Sequence, residues 1–461
     1  MKKRFFASLM VAALATSGLV LVSNSASAAS KTVIVWAPQE RAWQVTEYKA
    51  AIARIQAANP NINIVLKTGM DMATSMKAIV AKKDDAPDIS ISNGNGNLGW
   101  FCGGGEGIWL KLNGYIASKT NGLNIANTFK SSAQAATISG LNRCALPMPG
   151  TEVFGFFYNK DILSKAGYKN PPKTTAELVE YSKKLTTFDK DGNILKAGFV
   201  PKSGYYGWGM ESMWLGQSFG AKWYSANGSS AFATDPKWAK MFTWQKKFIA
   251  DVYGAGDFAK GSKALTKFVA SMGGEWGEEH DFITGRVAMK MDANWMATLY
   301  CTGDNWELAD KCTKVNMGVT GFPTDSSVTS TYGGSGLVGY PLAGISKTSK
   351  NPKEAWTVLK ALATDVKLSY AYDKFGGAPS PLKNPDAKPT GLPDWYQPFY
   401  DIQAHPKSVY HMLPNTGEHK DEDLLATLMA AWQDGAVPDI KVALKDTAEK
   451  LDAIIARNQI D

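Results

Sequence analysis

Histidine and cysteine are both scarce in this chain, with four of each in 461 residues. No G-x-S-x-G elbow, H-E-x-x-H pair, phosphate-binding loop or dinucleotide fingerprint occurs in a suitable context. The commoner hydrolase, metalloprotease, nucleotidase and dehydrogenase chemistries therefore lose their support. No C-x-x-C pair is present, which leaves a four-thiolate zinc site as a weak competitor to disulfide bonding. Basic residues exceed acidic ones for a formal charge of +8, but no block of five or six like charges exists. Nucleic-acid binding through a basic face is thus not expected. Beyond the N-terminus no apolar run is long enough to cross a membrane.

The N-terminus itself is distinctive. Lys2, Lys3 and Arg4 precede an apolar stretch from Phe5 to Val22, and Ala26-Ser27-Ala28 follows as a small-residue cleavage site. That order predicts a secretory signal over residues 1–28, with a retained membrane helix as the alternative. No cysteine precedes Cys102, which excludes a lipid anchor at the cleavage site. The remaining chain of about 430 residues is too long for one core and suits two.

Export into an oxidising compartment favours two disulfides, and four cysteines allow three connectivities. The expected pairs are Cys301–Cys312, which closes a short polar loop, and Cys102–Cys144.

Strand and helix patterns alternate from the start. Thr32–Trp36 reads as a strand, Val45, Tyr48, Ile52 and Ile55 mark a helix face, and Asn59-Pro60 stops it. Ile62–Leu66 and Pro87–Ile91 continue as strands around a helix containing Met72, Met76 and Ile79. The alternation predicts an α/β fold with a parallel sheet, whose ligands sit beyond the carboxyl ends of the strands. Later, one long helix is expected over Lys353–Tyr372, with two more near Glu422–Gln433 and Lys441–Arg457. Phe188–Asn193 superficially resembles a calcium loop but reads better as a hairpin turn.

Little points to catalysis. Glu278-Glu279-His280 could supply metal ligands, although a solvated helix start is the plainer reading. Paired carboxylates for glycoside hydrolysis would have to come from Glu152, Glu211, Glu275 or Asp292, whose separation is a three-dimensional matter. The abundance of tryptophan, fifteen in all, is the positive signal.

From Thr151 to Leu163 the chain (T-E-V-F-G-F-F-Y-N-K-D-I-L) resembles the family 1 extracellular solute-binding proteins, the group containing the maltose-binding protein. Further blocks in the same order carry the resemblance: Ile34–Trp36, Ala58–Pro60, Ala86–Ile89, Asn170–Thr174, Phe282–Met289, Asp292–Trp295, Ser349–Ala355 and Gly376–Pro379. The resemblance implies two α/β lobes around a ligand cleft, in the class II arrangement of periplasmic binding proteins. Lobe one would take residues 29–150 and 338–384, and lobe two residues 151–337 and 385–461. Hinge crossings would fall near Pro149-Gly150, Gly339-Tyr340 and Asn384-Pro385. It also implies a monomer without catalysis, cofactor or metal, which captures a carbohydrate outside the cytoplasm and docks on the permease subunits of an ABC importer. A non-sugar solute (a polyamine, an oxyanion or iron) and a secreted glycan-active enzyme or lectin are the alternatives.

A sugar offers hydroxyls around the ring plane and C–H groups on its faces, so its site needs flat aromatic platforms and well-placed polar side chains. By the resemblance Trp295 stacks on a ring, Glu152 contacts the ligand at the interlobe crossing, and Glu40 and Arg41 contribute acid and base contacts. Asp292 and Asn294 are candidate hydroxyl partners or turn formers. Trp208, Trp214 and Trp276 are further candidate platforms, with core packing as the alternative for each. In the loop after the third strand, Ser92–Asn95 replaces the aromatic and acid of the maltose binder, which puts a maltodextrin ligand in doubt. Asn93 and Asn95 are hydroxyl contacts there, or simply turn residues.

Overall fold

The apolar run at Thr32–Trp36 becomes an inner strand of a five-stranded sheet that is parallel, as expected, over its first three strands and antiparallel over its last two pairings. The structure, a computed structural model, describes residues 30–39, 41–93, 98–102, 107–139, 142–202, 211–274, 276–303, 309, 311–383, 392–408 and 420–457. The N-terminal segment, the crossing near Asn384 and the candidates Glu40, Asn95, Trp208 and Glu275 lie outside these residues.

Strand β1 (Lys31–Trp36) pairs in parallel with β2 (Ile62–Lys67) and β3 (Ile89–Ile91). A separate hairpin of β4 (Ile138–Ser139) and β5 (Asn142–Arg143) precedes β6 (Leu146–Pro147). The chain then leaves for a second sheet, built from β7 (Glu152–Asn159), β8 (Thr187–Phe188), β9 (Ile194–Phe199), β10 (Val287–Ala293), β11 (Met317–Thr320) and β12 (Leu337–Gly339). It returns with β13 (Leu342–Ile345). The first sheet has the order β2-β1-β3-β13-β6, and the second the order β11-β7-β10-β9-β8, with β12 also on β7. Helices cover the sheets, as the alternating pattern requires.

Strand β7 shows why its sequence is a nearly unbroken apolar run. Val153 and Phe157 face one core, whereas Phe154 and Phe156 face the other, so both sides are dry. The first core spreads from β1 and its helices through Val153, Val338 and Tyr340 to Phe399 and Ile402. The junction between the sheets is therefore packed rather than hollow.

The first helix runs Ala42–Ala58 and stops where expected, with the Asn59 side chain donating to the Ile55 carbonyl. The long helix expected over Lys353–Tyr372 is instead two, Pro352–Ala363 and Val366–Gly376. Asp365 causes the break. Its carboxylate accepts from the Leu368 N–H at 2.8 Å and is gripped by Nε and Nη2 of Arg54, a cap that competes successfully with helix continuation. Asp189 likewise organises the β8–β9 turn by accepting from the N–H groups of Asp191 and Asn193.

The Cys301–Cys312 bridge is present and ties the end of the helix Asn294–Thr302 to the segment before β11. The second expected pair is not bonded: Cys102 and Cys144 are free and buried. They lie side by side in the first core as thiols, with Cys102 pushed up by burial and Cys144 lowered by its hydrogen bond from Cys102. Among the described residues, no helix is long and apolar enough to cross a membrane.

Candidate ligand-binding site at the joint between the sheets

Two short crossings join the sheets, one between Pro147 and Glu152 and one between Gly339 and Leu342. Gly150 in the first has φ +112°, a conformation that side chains rarely adopt. A Cβ there would also press against the ring of Tyr372 at 3.1 Å and against Pro341 at 3.2 Å. Gly150 thus lies close against Tyr372, from the helix Val366–Gly376, and against Pro341 of the second crossing.

The second-sheet wall is aromatic. Trp295 opens the helix Asn294–Thr302 directly after β10, remains half-buried, and packs against both cores. Its ring meets Phe154 edge to face at 5.4 Å. Glu152 begins β7, two residues from Phe154 and on the same face by strand alternation, and is half-buried opposite Gly339. Carboxylate and indole are therefore brought to one edge of the second sheet. Trp214, read as either a platform or a core residue, is buried and packs against Phe154 at 6.0 Å. Its ring backs the site without presenting a free face.

Asp292 and Asn294, read as either hydroxyl partners or turn formers, take the second role. The Asn294 amide donates to the carbonyls of Thr151 at 3.1 Å and Gly377 at 2.6 Å, and its oxygen accepts from the Val153 N–H. Both donors are spent on main chain from the two sides of the joint. Asp292 is fully buried and points away from this edge, ion-paired with Lys290 at 2.8 Å and accepting from the Tyr300 hydroxyl. It also caps its own turn through the Ala293 N–H. Neither side chain reaches outward; they hold the turn that carries Trp295.

His280 completes that buried group, and the reading of it as a solvated helix start is corrected. It is 4% exposed, with Nε2 2.8 Å from the Lys290 ammonium. Burial, with the Lys290 charge adding to it, holds its pKa well below the usual range. The Trp276 loop is elsewhere too. Neighbouring Glu278 reaches Gly303, at the far end of the helix that Trp295 begins, about 12 Å along its axis.

The first-sheet wall is built from the loop after β1. Arg41 is half-buried, its pKa drawn down by burial and partly restored by Tyr372 beside it. Gln39 is buried, and its Oε1 is without a partner. Asn93 is exposed at the same carboxyl edge, just past β3. Gln39, Trp43, Phe154 and Tyr372 were not singled out by the sequence. The signal available for Trp43 was its place two residues past Arg41, at the start of the first helix.

Two α/β bodies joined by crossing segments, with an indole, a carboxylate and a guanidinium gathered around the joint, define a two-lobed binding protein. The sequence model of the bacterial extracellular solute-binding proteins matches residues 42–367, and the chain belongs to that family. Solved structures share the fold. CpMnBP1 with mannotriose bound is 22% identical, over 91% of this chain and 100% of that one, with a TM-score of 0.68. The GacH receptor of Streptomyces glaucescens, described unliganded and with acarbose, is 16% identical over 93% and 100%, with a TM-score of 0.62. The maltose-maltodextrin binding protein of Alicyclobacillus acidocaldarius is 16% identical over 91% and 100%, with a TM-score of 0.61.

Proposed function

We propose that this protein is the exported, non-enzymatic binding component of an ABC importer and that it captures a di- or oligosaccharide between its lobes. The observation that carries the reading is the convergence of half-buried Trp295, braced edge-on by Phe154, with Glu152 on the same edge of the second sheet. A partly open indole offers a sugar face its platform, and a carboxylate beside it accepts from ring hydroxyls. Arg41 and Asn93 contribute from the opposite wall. The sugar ligands of CpMnBP1 and GacH support the same class of solute.

Lobe one comprises residues 29–150 and 338–384, and lobe two residues 151–337 and 385–461, with the signal segment removed. The crossings at Gly150 and at Tyr340-Pro341 are the hinge. Ligand bound to both walls favours the closed arrangement by its differential affinity, and the closed monomer is what the permease receives.

A thermal-shift panel tests this directly. A sugar at a hundred times its dissociation constant stabilises the native state by about 2.7 kcal/mol. A shift with mono-, di- or oligosaccharides is expected; a flat response to sugars with a shift from spermidine, phosphate or ferric iron rejects the solute class while keeping the fold.

A further inference from the structure

The positive charge of the chain is concentrated in one part of lobe two. Between Lys183 and Ala270 there are thirteen lysines and six carboxylates, an excess of seven, so this stretch carries nearly all of the chain's +8. It contributes the end of the helix Thr175–Leu185, the β8–β9 hairpin and the helices Pro236–Tyr253 and Phe258–Ala270. Lys260, Lys263 and Lys267 recur three and four residues apart, and form one exposed stripe along the last helix. The stripe ends at the hairpin, where the Lys267 ammonium donates to the Asn193 Oδ1 at 2.7 Å. The other two helices are tied together by Asp251, held between Lys183 at 3.2 Å and Lys247 at 2.8 Å.

Carboxylates of these elements are spent within them. Besides Asp251, Asp257 accepts from the Lys260 N–H and Asp189 from the N–H groups of the hairpin turn. Lys190, Lys196, Lys260 and Lys263 are exposed, and among the described residues no carboxylate pairs with their ammonium groups. Two apolar side chains stand among these charges. Phe188, in the edge strand β8, is 41% exposed, and Leu195 in β9 is 54% exposed. A soluble polyanion needs only the lysines. A lipid surface uses both features, because headgroup phosphates attract the ammonium groups while the apolar tips enter the interface.

The sheet sets this face apart from the ligand site. Strands β9 and β10 run parallel, and β10 leads directly into Trp295. The hairpin before β9 therefore lies at the opposite end of the second sheet, a strand length of about 20 Å or more from the site.

We propose that this basic, apolar-tipped face of lobe two seats the protein on a membrane of anionic phospholipid while leaving the cleft clear. Such seating concentrates the receptor beside its importer without occupying the ligand site. That benefit rests on the exported, importer-coupled reading given above; attachment to lipid does not.

The test is co-sedimentation of the full-length mature protein with vesicles of phosphatidylglycerol and phosphatidylcholine in equal parts, and with phosphatidylcholine alone. Binding to the anionic vesicles only is expected, and it should be lost at about 1 M salt, where the screening length falls to about 3 Å. Joint reversal of the hairpin and stripe charges (Lys190→Glu, Lys196→Glu, Lys260→Glu and Lys263→Glu) should weaken partitioning about tenfold or more. Phe188→Ser with Leu195→Ser should weaken it about threefold or more, and keeps the test open if the fourfold variant fails to fold. Reversing four exposed lysines of lobe one (Lys49, Lys83, Lys350 and Lys353) changes net charge equally and should leave most of the binding intact. Equal losses in the two fourfold variants would show attraction to net charge rather than to this face, and overturn the proposal. Equal binding to both vesicles, or wild-type partitioning of the hairpin double variant, overturns it too. So does failure to bind the anionic vesicles, and dextran sulfate binding in that case assigns the face to a soluble polyanion instead.

Discussion

The side-chain amide of Asn294 donates to the Gly377 carbonyl at 2.6 Å, and so fastens the helix that presents Trp295 to the helix end that carries Phe375. Gly377 accepts this contact in a left-handed conformation, with φ +61° and ψ +35°. The same amide holds Thr151 and Val153 in the first crossing. One residue therefore sets the geometry between the binding edge and the hinge.

Asn294→Ala should destabilise the protein by about 2–4 kcal/mol in urea unfolding, because buried main-chain groups lose their partners. Asn294→Asp keeps the acceptor for the Val153 N–H but cannot donate to Gly377 or Thr151. It should expand the ligand-free protein in small-angle scattering and shift the ligand affinity, which a purely local packing role would not do.

Lys290 and Asp292 form an ion pair that is 1% and 0% exposed. Lys290→Met should cost about 3–5 kcal/mol, since it strands a buried carboxylate. The double variant Lys290→Met with Asp292→Asn should recover part of that loss. Chemical denaturation of the three proteins measures the difference.

Lys130 gives a pH dependence with a definite sign. Burial lowers its pKa to about 8, opposed by Asp373, while it donates to the Gln403 Oε1 at 2.6 Å. Below about pH 8 the ammonium is charged in both folded and unfolded chains, and its burial penalty is fully felt. Between about pH 8 and 10 the folded protein releases this proton first, so stability rises, by about 1 kcal/mol per pH unit for this group. Tyr340, pushed up to about 12 by burial, acts in the opposite sense: its contribution is present below pH 10 and is lost as pH rises further. Lys130→Met should flatten the rise between pH 8 and 10 in stability measured against wild type.

The cysteines separate by chemistry. Mass spectrometry of the native protein should find one bridge, Cys301–Cys312, and two thiols that a maleimide reaches only after unfolding, because Cys102 and Cys144 are buried. Reducing the bridge should lower stability by up to about 3 kcal/mol for a loop of this length. Two bridges in the exported protein would show that the neighbouring thiols of the first core are joined.

Much of the framework was legible because it rests on periodicity. β1, its helix and β2 follow apolar spacing and the Asn59 stop. The break at Asp365 was not legible, because the capping carboxylate is secured by Arg54, 311 positions away. Asp292 and Asn294 looked alike in sequence as polar residues before a tryptophan. Only the fold reveals that Lys290 and Tyr300 claim the one, while Thr151, Val153 and Gly377 claim the other. For Trp214 platform and core packing stayed open in the sequence, until burial showed a supporting ring behind the partly open Trp295.

The most direct measurement is the affinity of wild type and Trp295→Ala for the best sugar in the oligosaccharide panel, by calorimetry with both proteins shown to melt alike. Saturable one-to-one binding that Trp295→Ala weakens at least tenfold, with the sugar recovered intact, is the expected result. Equal affinity in the two proteins would contradict the site, and conversion of the sugar would contradict a purely binding role.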